Sequence, residues 1–133
     1  MHVADLMHTN LETIATTDTI ASAIVVLADS HVSGLPVLDE TGRFVGVLTA
    51  SDILQGVAER DDPKSREQLF EDTIVGDLMT PRTETIAPDA TIREAAQRLL
   101  YLEMHRLFVE HEGKLIGVIS TSDLIRALTA ART

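Results

Sequence analysis

The stretch Arg43-Phe44-Val45-Gly46-Val47-Leu48-Thr49-Ala50-Ser51-Asp52-Ile53-Leu54 decides the fold, because it is written a second time as Lys114-Leu115-Ile116-Gly117-Val118-Ile119-Ser120-Thr121-Ser122-Asp123-Leu124-Ile125. Glycine, hydroxyl and aspartate keep their places in both copies. In each, an apolar, β-branched run ends at a hydroxyl residue and leads into a helix-compatible segment, which predicts a strand C-terminus facing a helix N-terminus. Such a junction gathers unpaired amide N–H groups, a hydroxyl and a carboxylate at one spot. Helix capping by Ser51 or Asp52, and by Ser122 or Asp123, accounts for either copy taken alone. Two copies sharing Gly, Ser/Thr and Asp at one spacing point further, to two related sites.

Outward from this stretch the duplication continues. Val3-Ala4-Asp5-Leu6-Met7 returns as Val75-Gly76-Asp77-Leu78-Met79, 72 positions later. The same shift carries Glu12-Thr13-Ile14-Ala15 onto Glu84-Thr85-Ile86-Ala87, Thr19-Ile20 onto Thr91-Ile92, Ala23 onto Ala95 and Leu27 onto Leu99. One residue is lost at the later turn, so that Gly46 maps onto Gly117. A tandem duplication with a single turn deletion explains the whole pattern.

Each copy predicts the same order of elements. Glu12 to Ala15 reads as a short strand, and Thr19 or Asp18 caps a helix whose Ile20, Ala23, Ile24 and Leu27 form one apolar face. In the second copy Thr91-Ile92-Arg93-Glu94 is a capping box ahead of Ala95, Ala96 and Leu99. Leu35–Leu38 and Phe44–Thr49 are strands joined by the turn Asp39-Glu40-Thr41-Gly42, with counterparts Leu107–Glu110 and Leu115–Ser120 around His111-Glu112-Gly113. A closing helix follows, Ser51 to Ala58 or Ser122 to Leu128. The chain thus divides into a first repeat over 1–58, a linker over 59–74 and a second repeat over 75–133. In the linker, Glu59-Arg60-Asp61-Asp62-Pro63 is a polar break and Lys64 to Glu71 a short solvated helix. Either half would bury its sheet poorly alone. The expected architecture is therefore α+β, two tandem β-α-β-β-α repeats packed about a pseudo-twofold axis.

Composition bounds the function. A chain of 133 residues, 44% hydrophobic and 24% charged, is that of a globular protein, with a core drawn from Ile, Val, Leu and Ala. The net charge of −10 opposes binding to nucleic acid or an anionic membrane, so a polyanionic ligand needs a local cationic pocket. With no cysteine, disulfides and thiolate zinc sites are excluded, and the cytoplasm is the expected compartment. The N-terminal residues carry no basic segment or apolar core of a signal peptide, and the longest apolar run, Ile20 to Ala28, is too short to span a bilayer.

The doubled pattern resembles a tandem pair of CBS domains, the cystathionine β-synthase type module also called a Bateman module. Leu35-Pro36-Val37-Leu38-Asp39, Gly42 to Asp52, Leu107-Phe108-Val109 and Gly113 to Asp123 carry the resemblance, which extends from Val3 to about Leu128. It implies a regulatory module whose clefts hold adenosine compounds such as AMP, ADP, ATP or S-adenosylmethionine, acting on an effector protein, here in trans. In the family the motif Asp bonds the ribose hydroxyls and the Ser/Thr three residues before it helps hold phosphate. The resemblance thus implies ligand-binding roles for Asp52 with Thr49, and for Asp123 with Ser120. It further completes each cleft from the other repeat, pairing Asp52 with Met104-His105-Arg106 and Asp123 with Val32-Ser33-Gly34.

His105-Arg106-Leu107 is similar to the phosphate clamp of the γ subunit of AMP-activated kinase. A planar guanidinium fits phosphate with two parallel hydrogen bonds. Read without the family, Arg106 is a surface cation paired with Glu103 or Glu110. Ser33-Gly34 brings no cation, so the Asp123 cleft is expected to bind phosphate less well. Other features carry less chemistry. His111 beside Glu110 and Glu112 reads as a solvated turn rather than a metal site, and His2, His8 and His31 are scattered. No nucleophile-base pair and no Walker-type loop is present, so neither catalysis nor a cofactor is expected. The competing expectation is a structural module that dimerises or docks on a protein with empty clefts. In either case a homodimer is expected, through Ile53, Leu54 and Val57 with Leu124, Ile125 and Leu128.

Overall fold

The computed structural model describes residues 1–32, 34–81 and 84–130; Ser33, one of the expected ligand residues, lies outside them. In chain order the elements are α1 (Val3–Leu6), β1 (Ile14–Ala15), α2 (Ile20–Ser30), β2 (Gly34–Leu38), β3 (Phe44–Thr49), α3 (Ala50–Ala58), α4 (Pro63–Asp72), α5 (Val75–Leu78), β4 (Thr80–Pro81), β5 (Thr85–Ile86), α6 (Ile92–Leu102), β6 (Arg106–His111), β7 (Lys114–Ser120) and α7 (Thr121–Ala130). The β-α-β-β-α order holds in both copies. Each is preceded by one helical turn, α1 or α5.

The residues form two compact units, Glu12–Thr83 and Met1–Leu11 with Glu84–Thr133. In the first, β1 runs parallel to β2, β2 and β3 form an antiparallel hairpin, and β4 adds antiparallel to β3 through Gly46↔Pro81 and Val47↔Thr80. In the second, β5 runs parallel to β6 and β6 pairs antiparallel with β7, while His8 bridges Val118. The hairpin turns differ as the one-residue deletion requires. The longer is held by Asp39, whose carboxylate accepts from the amides of Thr41 and Arg43, and places Gly42 at φ 84°. The shorter sets Glu112 and Gly113 both at positive φ, 53° and 81°, the geometry of a tight two-residue hairpin.

Repeats and units are not the same residues. The leader of each repeat is built into the unit that holds the other repeat's hairpin. Val3 donates its amide to Ala90 and Ala4 to Pro88, at 2.9 Å each, while Val75 donates to Asp18 at 2.8 Å and Gly76 to Thr16 at 2.9 Å. Val3 and Val75 are fully buried, in clusters with Leu99, Leu107 and Ile119 and with Ile20, Leu35 and Leu48 respectively. Burial of one valine side chain stabilises by about 1.5–3 kcal/mol, which adds to the paired backbone hydrogen bonds in anchoring each leader.

The conserved spacing of the two glycines has its cause here. A Cβ on Gly46 would stand 2.6 Å from the Thr80 carbonyl oxygen and 2.7 Å from Met79 Sδ. On Gly117 it would stand 2.7 Å from Met7 Sδ and 2.9 Å from the His8 carbonyl oxygen. Only a residue without a side chain lets the leader backbone and its methionine lie against the strand.

Three expectations are corrected. The linker segment is a helix, started by Asp62 accepting from the Ser65 amide at 2.8 Å with Pro63 in its first turn, but it is packed rather than solvated. Leu69 is fully buried and Phe70 rests on the core cluster of its unit, since α4 closes over α2 and α3. Ile24 lies at the rim of the α2 face, 36% exposed, while Ile20 and Ala23 of the same face are fully buried. Finally, Ile53 and Leu124 are core residues and no part of an exposed face, which is left to Leu54, Ile125 and Leu128. The α2 cap is Thr19, whose hydroxyl accepts from the Ser22 amide, whereas Asp18 turns back to accept from the Ala15 amide.

Candidate functional site

At the end of β3 the chain leaves the sheet at Thr49 and starts α3 through a reciprocal capping box. The Thr49 amide donates to Asp52 Oδ2 at 2.9 Å and the Asp52 amide donates to Thr49 Oγ1 at 3.1 Å. The other carboxylate oxygen, Oδ1, accepts from the Thr80 hydroxyl at 3.0 Å. Asp52 is half-buried, so a carboxylate already fixed in orientation still reaches solvent.

The end of β7 builds the same frame from Ser120. Its amide donates to Asp123 Oδ2 at 2.8 Å, its hydroxyl donates to the same oxygen at 2.9 Å, and the Asp123 amide lies 3.3 Å from Ser120 Oγ. Here Oδ1 meets two different partners, His8 Nε2 at 2.8 Å and the Arg126 guanidinium at 3.2 Å. Asp123 is 5% exposed, and burial pushes its carboxyl pKa up. Hydrogen bonds from the Ser120 amide, the His8 ring and the Ser120 hydroxyl, with the charge of His8, outweigh that and hold it below the ordinary 3.8.

The strand register places the remaining expected residues. Gly34 faces Thr49 across the β2–β3 hairpin, and Arg106 faces Ser120 across β6–β7. His105 is exposed and its carbonyl accepts from the Thr121 amide at 3.0 Å, while Arg106 opens β6 with an exposed side chain. Met104 and Val32 are half-buried and pack against the core clusters of their own units. Thr49 and Asp52 thus stand together in one unit, and Ser120, Asp123, His105 and Arg106 in the other.

Sequence reasoning passed over His8, Thr80 and Arg126. The signal was present: at the shift of 72, His8 falls on Thr80, each directly after the leader methionine. Its meaning depends on the leader crossing to the other hairpin, which a linear pattern does not reveal. His111 sits at the hairpin, 3.8 Å from Glu112 with both side chains exposed, and among the described residues no cluster of three or more His, Asp or Glu is gathered to hold a metal ion. An open cavity of about 550 Å³ is lined by Glu84, Glu94, Gln97, Arg98, Tyr101 and Leu102, none of them an expected site residue. No helix among the described residues is long and apolar enough to cross a membrane.

Comparison with known proteins matches this geometry to a family. CBSX2, a chloroplastic CBS domain-containing protein of Arabidopsis thaliana, is 30% identical over 139 residues that cover 89% of this chain and 58% of its own. The pig 5'-AMP-activated protein kinase subunit gamma-3 is 31% identical over 126 residues, covering 90% of this chain and 23% of its own. The chain therefore spans little more than half of the first of these relatives and a quarter of the second. A crystal structure of CBSX2 in complex with AMP superposes with a TM-score of 0.78 at 28% identity, covering 99% of both chains. The family model of the CBS domain matches residues 3–59 and again 75–130, and with both matches lying on the doubled strand-to-helix frame, the chain belongs to the CBS domain family as a tandem pair.

Proposed function

We propose that this chain is a non-catalytic regulatory module that binds an adenosine compound of the AMP, ADP or ATP kind and passes the signal to an effector protein in trans. The observation that carries the reading is Asp52: an ionisable carboxylate, fixed by the Thr49 capping box, with its outward oxygen held, among the described residues, by a neutral hydroxyl. A carboxylate so placed accepts strong charge-assisted bonds from both hydroxyls of a ribose. The complex of CBSX2 with AMP supports the ligand class. Asp52 takes the ribose, and Thr49, His105 and Arg106 take the phosphate, with Met104 shaping the approach. Asp123, Ser120, Val32 and Ser33 form the second, weaker site. The cytoplasmic setting belongs to the same proposal.

Calorimetry tests the assignment. Arg106→Ala should weaken AMP binding by roughly 1.5–3 kcal/mol, the worth of hydrogen bonds to a charged group, and leave adenosine nearly unchanged. Asp52→Ala should weaken both alike. If Arg106→Ala lowers adenosine and AMP affinity equally, Arg106 does not serve the phosphate.

The partner surface is proposed to be a second copy of the chain. Leu54 on α3 and Ile125 and Leu128 on α7 are 67%, 64% and 62% exposed, and Leu54 and Ile125 are equivalent positions of the two repeats. A patch that recurs with the repeat is suited to an isologous interface. Light scattering at micromolar concentration should give twice the chain mass; a monomer would remove this interface.

A further inference from the structure

The two aspartates are given different outward partners by their exchanged leaders. Oδ2 of each faces inward, to the amide of its own Thr49 or Ser120. Oδ1 is the outward oxygen. At Asp52 it accepts from Thr80, a neutral hydroxyl. At Asp123 it accepts from His8 and from Arg126, whose side chains are 60% and 72% exposed while Asp123 itself is buried. These two groups therefore stand between solvent and the carboxylate. Position 126 corresponds to Gln55 in the first repeat, so both substitutions of the second site, Thr80 to His8 and Gln55 to Arg126, change a neutral group for a basic one.

We infer that His8, seconded by Arg126, is a specificity-determining residue that withholds the Asp123 carboxylate from ribose, leaving Asp52 as the ribose acceptor of the chain. The inference rests on the ligand class proposed above. A ribose diol offers two neutral donors. At Asp52 they add to, or displace, one neutral donor of the same kind, so little is lost. At Asp123 they must displace a basic partner from Oδ1, and an ion pair such as that with the Arg126 guanidinium carries charge on both sides, whereas a ribose hydroxyl brings only a neutral donor to the same carboxylate. The exchange is unfavourable whatever the base or phosphate of the ligand contributes.

Calorimetry with adenosine, which has no phosphate, tests this on the full chain. The Asp123 site is isolated by Asp52→Ala, and His8→Thr is then added, a change that copies the residue the other leader already carries. Adenosine affinity should rise about tenfold, the worth of one net hydrogen bond. The reciprocal pair, Thr80→His in an Asp123→Ala background, should lower affinity at Asp52 by a similar factor, and it decides the matter if the first pair fails to fold. Should the wild type bind adenosine through Asp52 while neither exchange alters affinity more than twofold, His8 has no such role and the proposed function stands. Should no variant bind adenosine or AMP, the proposed function itself falls, and this inference with it.

Discussion

The Asp52 and Asp123 junctions share a backbone plan and differ in who completes them. Both take an aspartate at the third residue of a helix, bonded to the amide of a Thr or Ser that ends a strand. Asp52 is then left half-exposed with a hydroxyl on its outer oxygen, and Asp123 is buried beneath a histidine and an arginine. The difference teaches that the strand-to-helix turn supplies a carboxylate of fixed direction in both copies, and that the segment crossing from the other repeat sets the partner on its outer oxygen. The same motif thus meets two different leaders: one copy leaves its aspartate half-exposed under a hydroxyl, and the other clamps its aspartate onto the leader of the first repeat.

The strongest way to break the comparison is to push the leaders off. Gly46→Ala places a methyl 2.6 Å from the Thr80 carbonyl, and Gly117→Ala one 2.9 Å from the His8 carbonyl, where backbone and not merely a flexible side chain must move. Overpacking of this kind costs about 1–3 kcal/mol, and the tighter approach at Gly46 should put it at the upper end. Urea unfolding measures both. Gly117→Ala should also separate His8 from Asp123, because His8 rides on the displaced segment. If either variant unfolds within about 0.5 kcal/mol of the wild type, the leader does not lie against that strand as described.

Much of this was legible in the sequence, for reasons that name themselves residue by residue. Strand pairs are set by alternating apolar runs around turn residues, so Phe44–Thr49 and the hairpin at Asp39–Gly42 were readable from local chemistry. The repeat made the second copy nearly free. The segment after Asp62 misled because its helical face holds a single deep anchor, Leu69, in a run otherwise rich in charge. At the candidate site, the pairing of Thr49 with Asp52 and of Ser120 with Asp123 is legible because each pair lies within one strand-to-helix turn. That of His8 and Thr80 is not, since their relation to the aspartates spans 115 and 28 residues and arises only from the leader exchange. Gly46 and Gly117 were noticed as a pattern, but their cause is the approach of a segment distant in sequence.

The smallest expected effect sharpens the comparison through pH. Asp123 has a folded-state pKa below its ordinary 3.8, so its ionised form contributes stability that is present above that value and is lost as pH falls through the lowered one. Asp123→Asn keeps the shape, loses the charge that His8 and Arg126 answer, and should be about 1.5–3 kcal/mol less stable at neutral pH. As pH falls below about 4 the wild type should lose this advantage and the two unfolding free energies should converge, because the protonated acid resembles the amide. His8→Thr removes one of the influences that lower the pKa, and its acid limb should fall between the other two. Urea unfolding at stepped pH from about 7 to about 3 gives the three curves. A gap between wild type and Asp123→Asn that stays constant across that range would mean that the carboxylate's charge contributes nothing, and that the clamp differs from the Asp52 junction only in shape.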